Sequence, residues 1–217
     1  MEIEKKLTNP GFSILLLYLF LLSFFMETIL QCDYTIFEWI NHDLQNNFLD
    51  AIMPWWRSKF IWFPFYAMLI GFMVIKYKIK GLYFILALAL TVGVADTMSS
   101  KVIKNSVKRL RPCKNPEIKD TTHLLVNCGS GYSFTSSHAT NHFAIAFFLL
   151  FTFCRRFKYL RLPLVFWASS IAFGQVYVGV HFPLDVLGGA FLGILTGYLV
   201  FRIYNSLKQV RIADFQA

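Results

Sequence analysis

The chain has 217 residues, of which 56% are hydrophobic and 15% charged, against about 25% charged in an ordinary soluble domain. That composition excludes a typical water-soluble fold. The net charge of +9 calls for no nucleic-acid partner, because basic residues anchoring loops at a membrane account for much of it.

Six apolar blocks follow in chain order: Gly11–Leu30, Phe60–Ile75, Gly81–Ile103, Ser137–Phe153, Leu162–Gln175 and Leu184–Phe201. They predict an all-α, polytopic membrane protein, a single domain over residues 1–217 with six transmembrane helices in one bundle. Blocks shorter than the ~20 residues of an untilted span are completed by flanking Trp, Tyr and Lys. The first block lacks a small-residue cleavage site and is read as a retained helix. Six crossings put both termini on one side. Twelve Lys and Arg fall on that side and nine on the other, so the termini are expected in the cytoplasm. Seven of the nine lie between Lys101 and Lys119, a density that suggests a use beyond topology.

Between the first two blocks, Asp33 to Arg57 carries Ile36, Phe37, Ile40, Leu44 and Phe48 near helical spacing, which predicts an interfacial helical segment. Thr35 and Glu38 fit a capping box at its start. Further on, Cys113 and Cys128 share one outside loop. They form either a disulfide, which would stabilise the fold by roughly 3 kcal/mol in an oxidising compartment, or two free thiols. Cys32 and Cys154 sit near membrane boundaries.

Three polar clusters fall on the outer side under this topology. The first, after the third block, holds Lys104, Lys108, Arg109 and Arg111; Lys104 is a point charge and Arg111 a planar fork, suited to different oxygens of one phosphate. The alternative is a basic loop touching headgroups. The second, Ser133 to His138, places hydroxyls and unpaired backbone N–H groups at a helix start, a ready anion site. Ser136 and Ser137 are its candidate ligands, and His138 could protonate a leaving oxygen. The third runs from Gln175 to Asp185. His181 and Asp185 stand one helical turn apart, so the carboxylate could fix the imidazole tautomer and leave the other nitrogen free to attack. An interfacial hydrogen-bonded pair is the bland reading. Asp96 is expected to pair with Lys101 or Lys104, and the glycines at 188, 189, 193 and 197 suit close helix packing.

At these residues the chain resembles the type 2 phosphatidic acid phosphatase family, whose site is shared with bacterial acid phosphatases and vanadium haloperoxidases. The family motifs are Lys-x6-Arg-Pro, Pro-Ser-Gly-His and Ser-Arg-x5-His-x3-Asp. Lys104, Arg111 and Pro112 match the first, Ser136 and His138 the second, and His181 and Asp185 the third. The resemblance implies a histidine nucleophile, His181, oriented by Asp185, with His138 as acid and Lys104, Arg111 and Ser136 on phosphate. It implies neither metal nor other cofactor. Thr135 and Ser137 replace the family's Pro and Gly, and Ser137 could donate to phosphate instead. Gln175 stands where the family has arginine, so a fixed positive charge is lost there; Lys108 or Arg109 could fill the gap, or Gln175 could donate through its amide.

The expected function is hydrolysis of a phosphomonoester or diphosphate on a membrane lipid at the outer face of a bacterial inner membrane. The lipid phosphate and the bilayer are its expected partners. Undecaprenyl diphosphate, phosphatidylglycerophosphate, phosphatidic acid and lipid A phosphates all remain open. A phosphotransferase using the same histidine and a non-catalytic lipid or anion transporter are the alternatives.

Overall fold

The computed structural model describes residues 10–153 and 157–207. Lys5, Lys6, Cys154, Arg155, Arg156, Lys208 and Arg211 lie outside the described residues. The chain is all-helical, and no strand occurs among the described residues. The helices are α1 (Pro10–Glu38), α2 (Asn47–Trp56), α3 (Phe63–Thr97), α4 (Lys104–Val107), α5 (Ser137–Phe153), α6 (Arg161–Tyr177) and α7 (Pro183–Ser206). Three stretches are long and apolar enough to cross a membrane: Leu17–Asp43, Lys59–Val107 and Pro183–Ser206.

The first of these has Tyr18, Phe20, Phe24 and Phe25 all exposed, as expected of a helix that is apolar all round and bathed in lipid. Helix α1 runs without interruption past the proposed capping box into a π-helical turn, Trp39–Asp43. The Thr35 hydroxyl donates back to the Gln31 carbonyl at 3.0 Å, which a helix-interior threonine does and an N-cap does not. The interfacial helix therefore starts later. Its N-cap is Asn46, whose side chain accepts from the Leu49 N–H at 2.9 Å.

The long apolar run that follows is two helical arms, residues 63–77 and 79–97, broken where Lys78 takes φ 50° and ψ −124°. The arms fold back on each other. A Cβ on Gly81 would lie 2.0 Å from the Met73 carbonyl oxygen, so glycine allows the close approach after the break.

Helix α5 is the centre of the molecule, with Ala139, Ala144, Ala146 and Phe148 fully buried. Its contact with α7 is a glycine seam. A Cβ on Gly189, Gly193 or Gly197 would stand 2.7, 2.3 and 2.7 Å from the carbonyl oxygens of Ser136, Thr140 and Ala144. The two backbones can approach this closely only without side chains between them. At the far end, Phe84 of α3 packs against Phe148 and Tyr204, tying a third helix to the pair.

Candidate active site

The polar clusters meet where α5 and α7 begin. Gly179, at φ +80°, turns the chain out of α6; a Cβ there would stand 2.7 Å from Thr122 Cγ2 and 2.8 Å from the His123 carbonyl oxygen. His181 follows, 2% exposed, and Pro183 opens α7. The Asp185 carboxylate takes the Phe182 N–H at 2.8 Å, the Ser133 hydroxyl at 2.5 Å and Arg109 Nη1 at 2.9 Å. It faces His181 Nδ1 at 3.5 Å.

With so many donors the carboxylate is held as an acceptor, so the network assigns the imidazole proton to Nδ1 and leaves a lone pair on Nε2. Burial pushes His181 down to about 4, with Asp185 opposing the shift and the positive charges of Arg111 and Lys104 reinforcing it. At neutral pH the ring is uncharged.

Asp33 and Arg109 support this pair from outside the three clusters. Arg109 bridges Asp185 and the buried Asp33 and lies 4.1 Å from the Phe182 ring centroid. The other Asp33 oxygen accepts the Leu184 N–H at 2.7 Å, which fixes the first turn of α7. Arg109 is thus committed to two carboxylates, and Lys108 is exposed in a left-handed conformation. Neither residue fills the gap left at Gln175.

Around His181 the remaining groups form a basic bowl. Lys104 is 7% exposed and has no ion-pair partner within the described residues. Arg111 donates through Nε to the Gly131 carbonyl at 2.9 Å; burial lowers its pKa and Asp185 opposes that shift. Electrostatic interactions link Lys104 and Arg111 with His181, and His181 and Lys104 with His138. Ser136 is buried, its N–H donating to the Asp185 carbonyl and its hydroxyl accepting weakly from the Ala139 N–H at 3.5 Å. The Ser137 hydroxyl lies 3.0 Å from that of Ser99. Asp96 makes no ion pair with Lys101 or Lys104; it accepts from Asn141 Nδ2 at 3.0 Å and from Ser100. The amide and hydroxyl neighbours take the place of the expected cation.

Gln175 is fully buried, and its Oε1 accepts from Arg57 Nε at 3.0 Å. Its Nε2 has no partner. Arg57 reaches this point because α2 docks on α6: Trp56 Nε1 donates to Ser170 Oγ at 2.9 Å, and one turn further along α6 lies Gly174. A Cβ at Gly174 would stand 3.4 Å from the Arg57 Cβ, in close contact. Burial, then the nearby Arg111 charge, lowers Arg57 to about 10. Sequence reasoning passed over Arg57. The available signal was a cation in the aromatic run Met53 to Trp62, on the same side as an arginine-shaped vacancy at position 175.

Beside His138 a groove of about 640 Å³ opens between the α3 arms and α5, lined below by Tyr66, Leu69, Ile85 and Leu88. Asn141 and His142 line its upper part. His142 Nδ1 lies 2.8 Å from the His138 carbonyl oxygen, so Nδ1 donates and Nε2 carries the lone pair. That Nε2 and Asn141 Oδ1 are buried without partners. Both are acceptors.

The loop over the site is fastened at two points. Cys113 and Cys128 are joined by a disulfide, Cα atoms 6.0 Å apart, and Cys32 is a free, exposed thiol. Buried Asn41 donates to the carbonyls of Tyr177 and His123 and accepts the His123 N–H.

This arrangement has counterparts in known proteins. The chain is 34% identical over 168 residues to a lipid A 4'-phosphatase of Bacteroides thetaiotaomicron, covering 76% of this chain and 73% of the relative. It is 28% identical to a lipid A 4'-phosphatase of Porphyromonas gingivalis, covering 82% and 75%. Its fold is similar to the crystal structure of a transmembrane PAP2 type phosphatidylglycerolphosphate phosphatase from Bacillus subtilis, with TM-score 0.65 and 24% identity over 91% of this chain and 96% of that one. It is also similar to the structure of Aquifex aeolicus LpxE, with TM-score 0.59 and 27% identity over 78% and 94%. The model of the PAP2 superfamily matches residues 80–209, which include Lys104, Arg111, His138, His181 and Asp185; the chain belongs to the PAP2 superfamily.

Proposed function

We propose that this protein is a six-span membrane phosphatase, one domain with both termini cytoplasmic and its site at the outer face, that hydrolyses a lipid phosphomonoester. The observation that carries this reading is a basic bowl around an uncharged, carboxylate-oriented His181, opening beside an apolar groove. The bowl suits a phosphoryl group, whose charge is spread over several oxygens. The groove suits a lipid tail.

In the proposed reaction His181 Nε2 attacks phosphorus while the bond from phosphorus to the lipid oxygen breaks, and His138 gives that oxygen its proton. Asp185, with the Ser133 hydroxyl that donates to it and lies 3.3 Å from Nδ1, keeps the proton on Nδ1 throughout. Lys104, Arg111 and the N–H groups at the start of α5 hold the phosphoryl oxygens, with Ser136 shaping that turn. Water then attacks the phosphohistidine, passing its proton to His138, which releases phosphate and restores both histidines.

The leaving lipid sits beside two buried acceptors, Asn141 Oδ1 and His142 Nε2. A headgroup bearing hydroxyl or amide N–H donors satisfies them, and an isoprenoid chain has none to offer. This favours a sugar or polyol lipid, in keeping with the relatives named lipid A 4'-phosphatase. A second reading, a prenyl diphosphate, draws on Lys59 at the groove, a cation for a second phosphate.

The test is phosphate release by the purified protein from lipid A, phosphatidylglycerophosphate and undecaprenyl diphosphate. Lipid A is expected to be cleaved fastest, and His181→Ala to lose at least about 10⁴-fold in kcat. Release by His181→Ala at the parent rate would overturn the mechanism, and faster cleavage of the diphosphate would overturn the substrate preference.

A further inference from the structure

We propose that Arg57, held in place by Gln175, is a phosphate-binding residue of this site; the inference rests on the phosphatase reading. The guanidinium spends only Nε on the protein, at Gln175 Oε1. Neither terminal nitrogen has a partner among the described residues. Gln175 orients its carbonyl oxygen toward Arg57, which leaves Nε2 as a second donor, fully buried and unsatisfied. An unpartnered buried donor of this kind is expensive to maintain without a ligand.

Charge points the same way. Arg57, Lys104 and Arg111 interact with one another or with the two histidines, and Arg57 acts directly on both Arg111 and His138. Arg109, the other nearby cation, is neutralised by Asp33 and Asp185. Three cations distributed about the two imidazoles, Arg57 and Lys104 on His138 and Lys104 and Arg111 on His181, fit a polyanion. The planar fork of Arg57 can grip two phosphoryl oxygens at once.

The residue reaches the site from the α2 side, beyond the span matched by the family model. Gly174 of α6 packs beside its Cβ, and the Trp56–Ser170 bond sets its depth. The positive charge absent at position 175 is thus delivered from position 57, 118 residues away in sequence.

The test compares Arg57→Ala, Gln175→Arg and the exchange Arg57→Gln/Gln175→Arg with the parent and His181→Ala. Measured are kcat/KM, the inhibition constant of inorganic phosphate, and the melting temperature in detergent. Arg57→Ala is expected to lose roughly 10- to 100-fold in kcat/KM and to weaken phosphate inhibition by a similar factor. Gln175→Arg alone brings two guanidinium groups together and gives no gain. The exchange restores one guanidinium and recovers most of the loss in kcat/KM together with inhibition by phosphate; a purely structural Arg57 would recover the melting temperature and leave phosphate inhibition parent-like in every variant. Should Arg57→Ala fail to fold, the exchange and Arg57→Lys carry the test. Parent-like inhibition by phosphate in Arg57→Ala, or an exchange protein that folds yet stays as impaired as the single variants, would overturn the inference. A fully active His181→Ala would instead overturn the reading beneath it.

Discussion

The two parts of the site come from differently organised regions of the chain. Residues 80–209 carry the reactive groups in three short clusters, each with fixed local spacing: Lys104 to Arg111, Ser133 to His138, and Gln175 to Asp185. The segment before residue 80 contributes single residues with no motif around them, namely Asp33, Asn41 and Arg57. These act on partners far away in sequence: Asp33 on Arg109 and Leu184, Asn41 on His123 and Tyr177, Arg57 on Gln175. In the proposed reaction the later region supplies the chemistry, and the earlier one aims it and adjusts its charge. Such a division leaves room for the earlier segment to change the site without altering the nucleophile.

The later region depends on the earlier one most heavily at Asp33. Asp33→Ala removes the acceptor for Arg109 and for the Leu184 N–H, so the fold should lose about 3 kcal/mol, as when one partner of a buried ion pair is deleted. Because Asp33 reaches Asp185 only through Arg109 and the Leu184 N–H, a positioning role predicts that kcat falls roughly 10- to 100-fold with KM nearly unchanged. A raised KM with normal kcat would place Asp33 on the substrate instead.

The pH profile sharpens the contribution of the later region. An ordinary imidazole near 6.5 would lose about tenfold in its neutral form between pH 7 and 5.5. With His181 lowered to about 4, the nucleophile stays neutral across that interval, and the acid limb of kcat/KM should be centred near 4 once the phosphate's own ionisation near 6 is allowed for. A limb near 6.5 on His181 would show that burial does not govern the ring.

The smallest catalytic effect is expected at the disulfide. Cys113→Ser with Cys128→Ser should reduce stability by about 3 kcal/mol and change kcat by only a few-fold, since the bridge restrains the loop and not the reacting groups. Denaturant midpoints in detergent beside initial rates would separate the two.

The same division explains what could be read from sequence. Lys104, Arg111, His138, His181 and Asp185 were visible because local spacing links them to a helix end or to each other. The pairing candidates Cys113 and Cys128, and the glycines of α7, were visible through residue type and period. Arg57, Asp33 and the true duty of Arg109 were not, because a contact across 76 or 118 residues leaves no periodic trace. Thr35 misled for the opposite reason. A capping pattern is local, but so is the alternative of bonding back to Gln31, and the continuing apolar helix decided between them. Ser137 is a candidate from its place at a helix start, and that place gives no sign of the Ser99 hydroxyl 3.0 Å from its own.

The glycine seam has one more consequence. His138 rides on α5, and His181 lies just before α7, so in the proposed reaction the gap that phosphorus bridges is metered by how closely those two helices lie. That distance is set at Gly189, Gly193 and Gly197, which face the carbonyls of Ser136, Thr140 and Ala144. A single methyl group at Gly193 would act as a wedge against the Thr140 carbonyl, prising donor and nucleophile apart from below. Part of the geometry of the transition state is therefore written in three absent side chains along the helix beneath it.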